Sequence, residues 1–455
     1  MATFSIENFG CRATEADAAA LRHGLLASGL ALVDDHRSAD LVVLNTCTVT
    51  AAADSQTRDA VRKIHRANPD ARIIVTGCYA QRAPDEIAAL PGVVWVIGNS
   101  HQTEIPGVAA ELIGQSSAGA SFSPPDTERD FVPASALDTG EMSLARGPAK
   151  ILTGDIFAQT SVQLAPAAVG EGDRTRPVLK IQDGCNNRCA YCVIPFVRGS
   201  SRSLPPDVVI AEVRKLVASG SREIVLSGIN LGAYGRDLSP RASLSEIVHR
   251  ILEETLLEQL RLSSIEPQDV TEELISMVPS SNRLAPHFHV PLQSGSDQVL
   301  RAMHRWYRAD HYAERVKRIR QTLPFAAIGA DVIVGFPGET DEDFQKTTEL
   351  IACLPFTYLH VFSFSARPGT QGSHLAAPVP ATIIRERARS LRALAQRKSS
   401  EFRASQTGRT FRALTLVGGG DTWTPAMTAN YLKVRIPGRL PANQWYETRL
   451  PSGAA

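Results

Sequence analysis

PVLKIQDGCNNRCAYC, residues 177–192, joins a strand-like apolar run to a loop that carries Cys185, Cys189 and Cys192 in the spacing C-x-x-x-C-x-x-C. Three thiolates this close can hold a [4Fe-4S] cube, and a cube with three protein ligands keeps one iron open to a cofactor or substrate. Zinc or a group of buried thiols are the alternatives. Structural zinc takes four ligands, however, and no fourth Cys or His lies close by. The loop directly follows a strand, and carboxyl ends of strands are where barrel enzymes place their chemistry.

Downstream of this loop, EIVLSG, LRLSSIE, FHVPL, AIGADVIVGF and TYLHVFSF read as further strands, with helical segments between them. Together with PVLKIQD they predict six parallel strands in a curved or partly closed barrel. A helix over about 381–402 leads to a tail whose runs RTFRALTLV, NYLKVRIP and YETRL predict a small β-barrel. Upstream, FSIENF, DLVVLN, RIIVTG and VVWVIG alternate with helical stretches and predict a parallel α/β domain. Cys11, Cys47 and Cys78 each fall just past one of its first three strands, at the edge of an open sheet where ligands usually bind. Residues more than thirty positions apart can therefore converge on one rim. The alternative is three cysteines packed as small hydrophobes. Six of the seven cysteines thus form two triads, which points to two clusters. The fold class expected is α/β: an N-terminal parallel α/β domain over 1–112, a Ser-, Ala-, Gly- and Pro-rich linker over 113–174 that is partly disordered, a central partial (β/α)6 barrel over 175–403 and a small β-barrel over 404–455.

Composition bounds the function. Charged residues make up 21% of 455 and the formal net charge is +1, so no global basic field marks a nucleic-acid binder and any such contact must use local patches. The start, MATFSIENFGCR, lacks the apolar core of a signal peptide, and no stretch is long and apolar enough to predict a membrane span. Seven cysteines are too few for a disulfide scaffold. A soluble, cytoplasmic enzyme with no membrane association is the expectation.

CNNRCAYC followed by VIPFVRG, SGINLGAYG, SSIEP, HVPLQSGSD, GADVIVGFPGET and FSARPGT resembles the radical S-adenosylmethionine core of the methylthiotransferases. With NFGCR, NTCTVT, VTGCYAQR and a tail similar to the family's TRAM module, the resemblance covers nearly the whole chain outside the linker. Among the branches, NTCTVT and GCR look most like the enzymes acting on N6-threonylcarbamoyladenosine in tRNA. The resemblance implies that Cys185, Cys189 and Cys192 bind the cluster whose free iron is chelated by S-adenosylmethionine, with reductive cleavage yielding a 5'-deoxyadenosyl radical. It places Tyr191, Gly228, Asn230, Glu266, Gln293, Ser294 and Val334 at cofactor contacts. It gives Cys11, Cys47 and Cys78 an auxiliary [4Fe-4S] cluster carrying the sulfur that a second S-adenosylmethionine methylates, and it implies no catalytic side chain beyond clusters and cofactor. Thr14 stands where the family usually has Asn, which puts a supporting hydrogen bond near Cys11 in question.

The implied acceptor is C2 of the adenine at position 37 of tRNA, with the anticodon stem-loop as partner and an external flavodoxin- or ferredoxin-like electron donor. Isopentenyladenosine in tRNA or an aspartate of a ribosomal protein are the alternative acceptors, and a non-catalytic iron-sulfur RNA-binding protein is the alternative of another class. For RNA contact the expected residues are Arg305 and Arg308 with Arg301, Arg385, Arg389, Arg392 and Arg397 on the long helix, and Arg409, Arg412, Lys433 and Arg435 in the tail. Each could equally be a solvated helix or sheet face. Cys353, in LIACLP, reads as a buried structural thiol, and His287 and His289 as residues lining the barrel mouth rather than ligands.

Overall fold

The computed structural model describes residues 1–117, 149–163 and 175–450. The chain divides into two compact units, one made of Met1–Phe9, Leu21–Cys47 and Asp54–Gly154, the other of Gly10–Ala20, Thr48–Ala53 and Asp155–Ala455.

The first unit is built on Thr3–Asn8 (β1), Ala31–Leu32 (β2), Leu41–Thr46 (β3), Arg72–Gly77 (β4), Val93–Gly98 (β5) and Lys150–Leu152 (β6), all parallel in the order β2-β1-β3-β4-β5-β6. The run LVVL in β3 has no polar alternation because both faces of the strand are covered. Val42 and Leu44 pack with Val61 and Ile64 of the helix Ala51–Ala67, while Leu41 and Val43 pack with Leu21, Leu25 and Ile105 on the opposite face. Of the stretch expected as a linker, residues 118–148 and 164–174 lie outside the described residues, and with them most of the disorder expected there. β6 lies within the remainder and adds a strand that the Ser/Ala/Gly/Pro composition had hidden.

In the second unit, Val178–Asp183 (β7), Arg202–Ser203 (β8), Glu223–Gly228 (β9), Gln259–Leu262 (β10), His287–His289 (β11), Ala327–Val334 (β12) and Tyr358–Ser363 (β13) carry the barrel. β7, β9 and β10 pair in parallel, the parallel bridges Leu260↔Leu284 and Ser264↔His289 continue the sheet to β11, and β11, β12 and β13 complete it. Six parallel strands thus form a partial barrel as expected, with β8 antiparallel on the outer edge of β7. Among the described residues no strand pairs with the far edge of β13. The core is filled by strand residues such as Ile181, Leu226, Leu260 and Ile328 against Val213, Ile247, Ile275 and Val316 from the surrounding helices. Truncating one such leucine to alanine costs about 2–5 kcal/mol.

The helix Ala381–Ser405 leads to Thr410–Thr415 (β14), Trp423–Thr428 (β15), Lys433–Pro437 (β16) and Trp445–Arg449 (β17), an antiparallel sheet in the order β16-β15-β14-β17. The sheet is a curled half-barrel rather than a closed barrel. β15 was not among the expected strands, since the glycines at 418–420 and Pro425 argue locally for a loop. Arg261, fully buried on β10, donates to Glu223 at 2.7 Å and to the carbonyls of Ala429 (2.9 Å) and Thr428 (3.2 Å), which fastens the half-barrel to the barrel. No helix of the described residues is long and apolar enough to cross a membrane.

Candidate functional site

The Cys185 loop leaves β7 through Gly184, whose φ is +71°; a Cβ there would stand 2.0 Å from the Ser200 carbonyl oxygen, so only glycine fits the turn. Gln182 ties the loop down: its amide donates to the carbonyl of Gly184 (2.8 Å) and to Ser201 Oγ (3.0 Å), and its Oε1 accepts from Asn230 N (2.7 Å). The Cys185 amide donates to the Gly199 carbonyl and the Cys192 amide to the Cys189 carbonyl. Behind the loop Ala190 packs with Val299, Met303 and Phe336.

Five buried charges brace the strand that feeds this loop. Asp17, in the Gly10–Ala20 segment and 0% exposed, accepts from Lys180 Nζ and from Arg198 Nη2 at 2.6 Å; Asp183 accepts from Lys180 at 2.8 Å and Arg198 at 3.1 Å, with Arg202 at 3.6 Å. Burial opposes ionisation of Asp183, but the Lys180 and Arg198 charges outweigh it and hold its carboxyl well below the usual carboxylate range. The same segment begins at Gly10 and contains Cys11, whose carbonyl accepts from the Thr14 hydroxyl at 2.7 Å. Thr14 therefore supplies a hydrogen bond of its own next to Cys11.

Arg305 reaches the loop from the other side. Its Nη1 lies 3.3 Å from Cys189 Sγ and 3.4 Å from the Tyr191 hydroxyl, and its Nη2 pairs with Glu266. Burial pushes the Cys192 thiol up to about 12, with repulsion from Cys189 adding to it, and burial likewise raises Cys185. Thiols gathered in such a place favour the proton unless a cation takes them, which is what a metal cluster supplies. Asn230 points its Nδ2 at Cys185 Sγ (4.0 Å), and its buried Oδ1 has no hydrogen-bond partner among the described residues. An amine donor such as that of S-adenosylmethionine would satisfy it, so the residues present fit both the cluster and the cofactor.

Tyr191 and Cys192 open onto a cavity of about 180 Å³ lined also by Thr50, Gln293, Asp331 and Phe362. Gln293 thus shares the cavity with Tyr191, whereas Ser294 and Val334 are wholly buried, the former's hydroxyl facing that of Thr347 at 3.3 Å. Gly228 is the register partner of Gln182.

In the first unit, Cys47 and Cys78 follow Thr46 and Gly77, register partners on neighbouring strands, and both are buried. Gly77 has φ +96°, and a Cβ would stand 2.4 Å from the Thr46 carbonyl. The Asn99 amide lies 3.5 Å from Cys78 Sγ. Cys11 follows the end of β1, whose Asn8 is in register with Asn45 of β3. The three strands that carry these cysteines are thus consecutive in the sheet.

Residues 3–98 match the uncharacterized protein family UPF0004, and residues 179–351 the radical SAM superfamily. A threonylcarbamoyladenosine tRNA methylthiotransferase of Aquifex aeolicus is 35% identical over 435 residues, 95% of this chain and 96% of its own. The enzyme of the same name in Bacillus subtilis is 35% identical over 96% of this chain and 91% of its own. A tRNA-2-methylthio-N(6)-dimethylallyladenosine synthase of Thermobifida fusca is 33% identical over 92% and 78%. The chain belongs to the radical S-adenosylmethionine methylthiotransferases. Its fold is also similar to that of the radical S-adenosylmethionine methyltransferase TsrM from Kitasatospora setae, with a TM-score of 0.51 at 15% identity over 80% of this chain and 73% of that one.

Several surface expectations for this methylthiotransferase meet a different placement. Arg305, read as an RNA contact, is 4% exposed and engaged by Glu266 and Cys189, which corrects its role from phosphate contact to support of the cysteine loop. Its neighbours Arg301 and Arg308 are exposed, as is Trp306 between them at 77%, an aromatic surface the sequence reading missed. Arg385, Arg389, Arg392 and Arg397 are exposed along their helix. In the half-barrel, Lys433 and Arg435 project from one exposed face of β16 and Arg435 lies over Trp423 (4.6 Å); Arg412 lies over Trp445 (4.3 Å) and pairs with Glu258, and Arg409 lies over Phe325. Cys353 is exposed at the end of the helix Asp341–Cys353, not buried as expected, because it is Ile351 and Leu354 on either side that enter the core. His287 and His289 are buried inside the barrel.

Proposed function

We propose that this chain adds a methylthio group to C2 of N6-threonylcarbamoyladenosine at position 37 of tRNA, acting in the cytoplasm on the anticodon stem-loop with a flavodoxin- or ferredoxin-like electron donor. The observation that carries this reading is the pair of cysteine triads at strand carboxyl ends, together with near full-length similarity to relatives bearing that name. In this reading Cys185, Cys189 and Cys192 hold the radical cluster, and Cys11, Cys47 and Cys78 the auxiliary one. When bound, two [4Fe-4S] clusters and S-adenosylmethionine supply a radical that takes hydrogen from C2 and the methylthio group that replaces it. The domain roles in this reading are those of 1–112, 175–403 and 404–455, with β6 from the 113–174 stretch added to the first sheet.

The chain's own residues provide the setting. Gln182 and Arg305 fix the Cys185 loop, Asn230 offers its buried Oδ1 to a cofactor donor, and Gln293 and Tyr191 face the cavity beside Cys192. A base stacked in a loop must turn out before its C2 can reach such a cavity. In this reading Lys433 and Arg435, exposed on β16, make phosphate contacts while it does so. Incubating reconstituted enzyme with tRNA carrying threonylcarbamoyladenosine or isopentenyladenosine, followed by mass spectrometry of the nucleosides, tests the reading. The 2-methylthio derivative should form on the first. Modification of the isopentenyl tRNA alone, or of a ribosomal protein, would overturn the acceptor assignment.

A further inference from the structure

β13 is the last strand of the partial barrel, and its residues Tyr358, His360 and Phe362 alternate onto one face. Their rings form a ladder, with centroids 5.4 Å apart from Tyr358 to His360 and 6.5 Å from His360 to Phe362. Phe362, 42% exposed, ends the ladder on the wall of the cavity that holds Tyr191 and Cys192. His360 has a side chain 55% exposed, stacks on His289 (5.3 Å between centroids) and, among the described residues, hydrogen-bonds through Nδ1, which lies 3.1 Å from Oδ1 of Asp331, its register partner on β12 and a second wall of the same cavity. The same oxygen lies 3.0 Å from His289 Nε2, and His289 Nδ1 lies 3.0 Å from the Tyr358 hydroxyl. Asp331 thus sits between two imidazoles, and the exposed one turns its other nitrogen away from the carboxylate.

We infer that this ladder is the platform for the acceptor nucleoside, Phe362 stacking on the base and His360 Nε2 donating to a carboxylate on the base's N6 substituent. The inference rests on the proposed function and names the part of the acceptor that is recognised. An exposed aromatic ring beside the cluster loop suits a flipped base, since every base offers a face for stacking. An imidazole between two carboxylates donates from both nitrogens, and anchoring by Asp331 orders the ring before the acceptor arrives. A purely hydrocarbon substituent would leave that donor unanswered. The site would therefore favour an acceptor ending in an acid over one ending in an alkene.

The test uses reconstituted full-length enzyme and three anticodon stem-loop RNAs: one with threonylcarbamoyladenosine, one with its carboxylate converted to a methyl amide, and one with isopentenyladenosine. His360→Gln should weaken binding of the acid RNA about tenfold, the worth of one charge-assisted hydrogen bond at a half-exposed site, and leave the amide RNA within about twofold. Phe362→Ala should weaken both alike. Iron content equal to wild type confirms an intact preparation, and the exposure of His360 makes misfolding of His360→Gln an unexpected result that circular dichroism would reveal; His360→Asn then repeats the comparison. Equal losses for acid and amide RNA with His360→Gln, or no loss for either, would refute the inference. So would a zinc or iron ion beyond the cluster irons that disappears in both His360→Gln and His289→Gln, since the three side chains would then be a metal centre. If wild-type enzyme modifies only the isopentenyl RNA, it is the acceptor reading that fails; if it modifies the acid RNA and His360→Gln binds that RNA normally, only this inference does.

Discussion

Asp17→Asn removes one of two carboxylates from the buried network that braces β7. In the native protein Asp17 and Asp183 face Lys180, Arg198 and Arg202, none more than 11% exposed. The amide keeps the shape and withdraws the charge, so three cations are left around Asp183. Breaking a buried pair by removing one partner costs about 3–5 kcal/mol, because the stranded charge can no longer be solvated. At about 1.5 °C per kcal/mol for a unit of this size, its melting transition should fall by roughly 5–8 °C. Calorimetry of the reconstituted protein under argon measures it. Adding Lys180→Met withdraws the cation nearest Asp17, so the double variant should lose less than the sum of the two single losses, by a coupling of about 1–3 kcal/mol. A fall of less than about 2 °C for the single variant, or strictly additive losses in the double, would show that water or a rearranged side chain compensates and that the network is not a brace.

The same network predicts an acid limb. Because the folded-state carboxyl of Asp183 is held well below its unfolded value of about 4, its contribution is complete above that value and is lost as pH falls below it; the stability difference between wild type and Asp183→Asn should shrink between about pH 5 and pH 2 in acid titrations of unfolding. Replacing Cys185, Cys189 and Cys192 together by Ala should leave about four of about eight irons per chain, and iron analysis showing loss of both clusters would contradict separate sites. Arg305→Met should slow cleavage of S-adenosylmethionine about 10–100-fold with iron content retained, since Arg305 supports Cys189 without being a ligand; unchanged cleavage would show that its contact with Cys189 does not tune the loop. Lys433→Glu with Arg435→Glu should weaken tRNA binding and lower the slope of log affinity against log salt by about 2, and a slope equal to wild type would remove β16 from the RNA face.

Local pattern carried most of the fold and both cysteine triads. Strands covered on both faces, such as β3, announce themselves as unbroken apolar runs, and a cysteine just past such a run has its place on the sheet edge decided by the chain itself. What stayed hidden depended on partners far away in sequence. Arg305 sits in the basic run RAMHRWYR and looks solvated; only the return of Glu266, 39 residues upstream, draws it inside. Lys180 reads as an ordinary interruption of an apolar strand until Asp17, 163 residues away, arrives. β15 was masked by Pro425, which its pairing with β14 and β16 tolerates, and β6 by the low-complexity sequence around it. The link between Asp331 and His360 exists only through the register of β12 and β13.

Arg261 has a consequence for how freely the half-barrel can move. Its guanidinium is fully buried and divided between Glu223 on the barrel and the carbonyls of Thr428, which ends β15, and Ala429 just beyond it. Swinging the half-barrel away would break two hydrogen bonds from a buried cation, at about 1.5–3 kcal/mol each, which holds the population of any swung-out state below about one molecule in a hundred. The basic face of β16 therefore keeps a constant span to the cysteine loop, and under the proposed function that span acts as a rigid gauge for the RNA. Which nucleotide arrives at the cavity becomes a matter of length along the RNA, measured from where its phosphates are gripped.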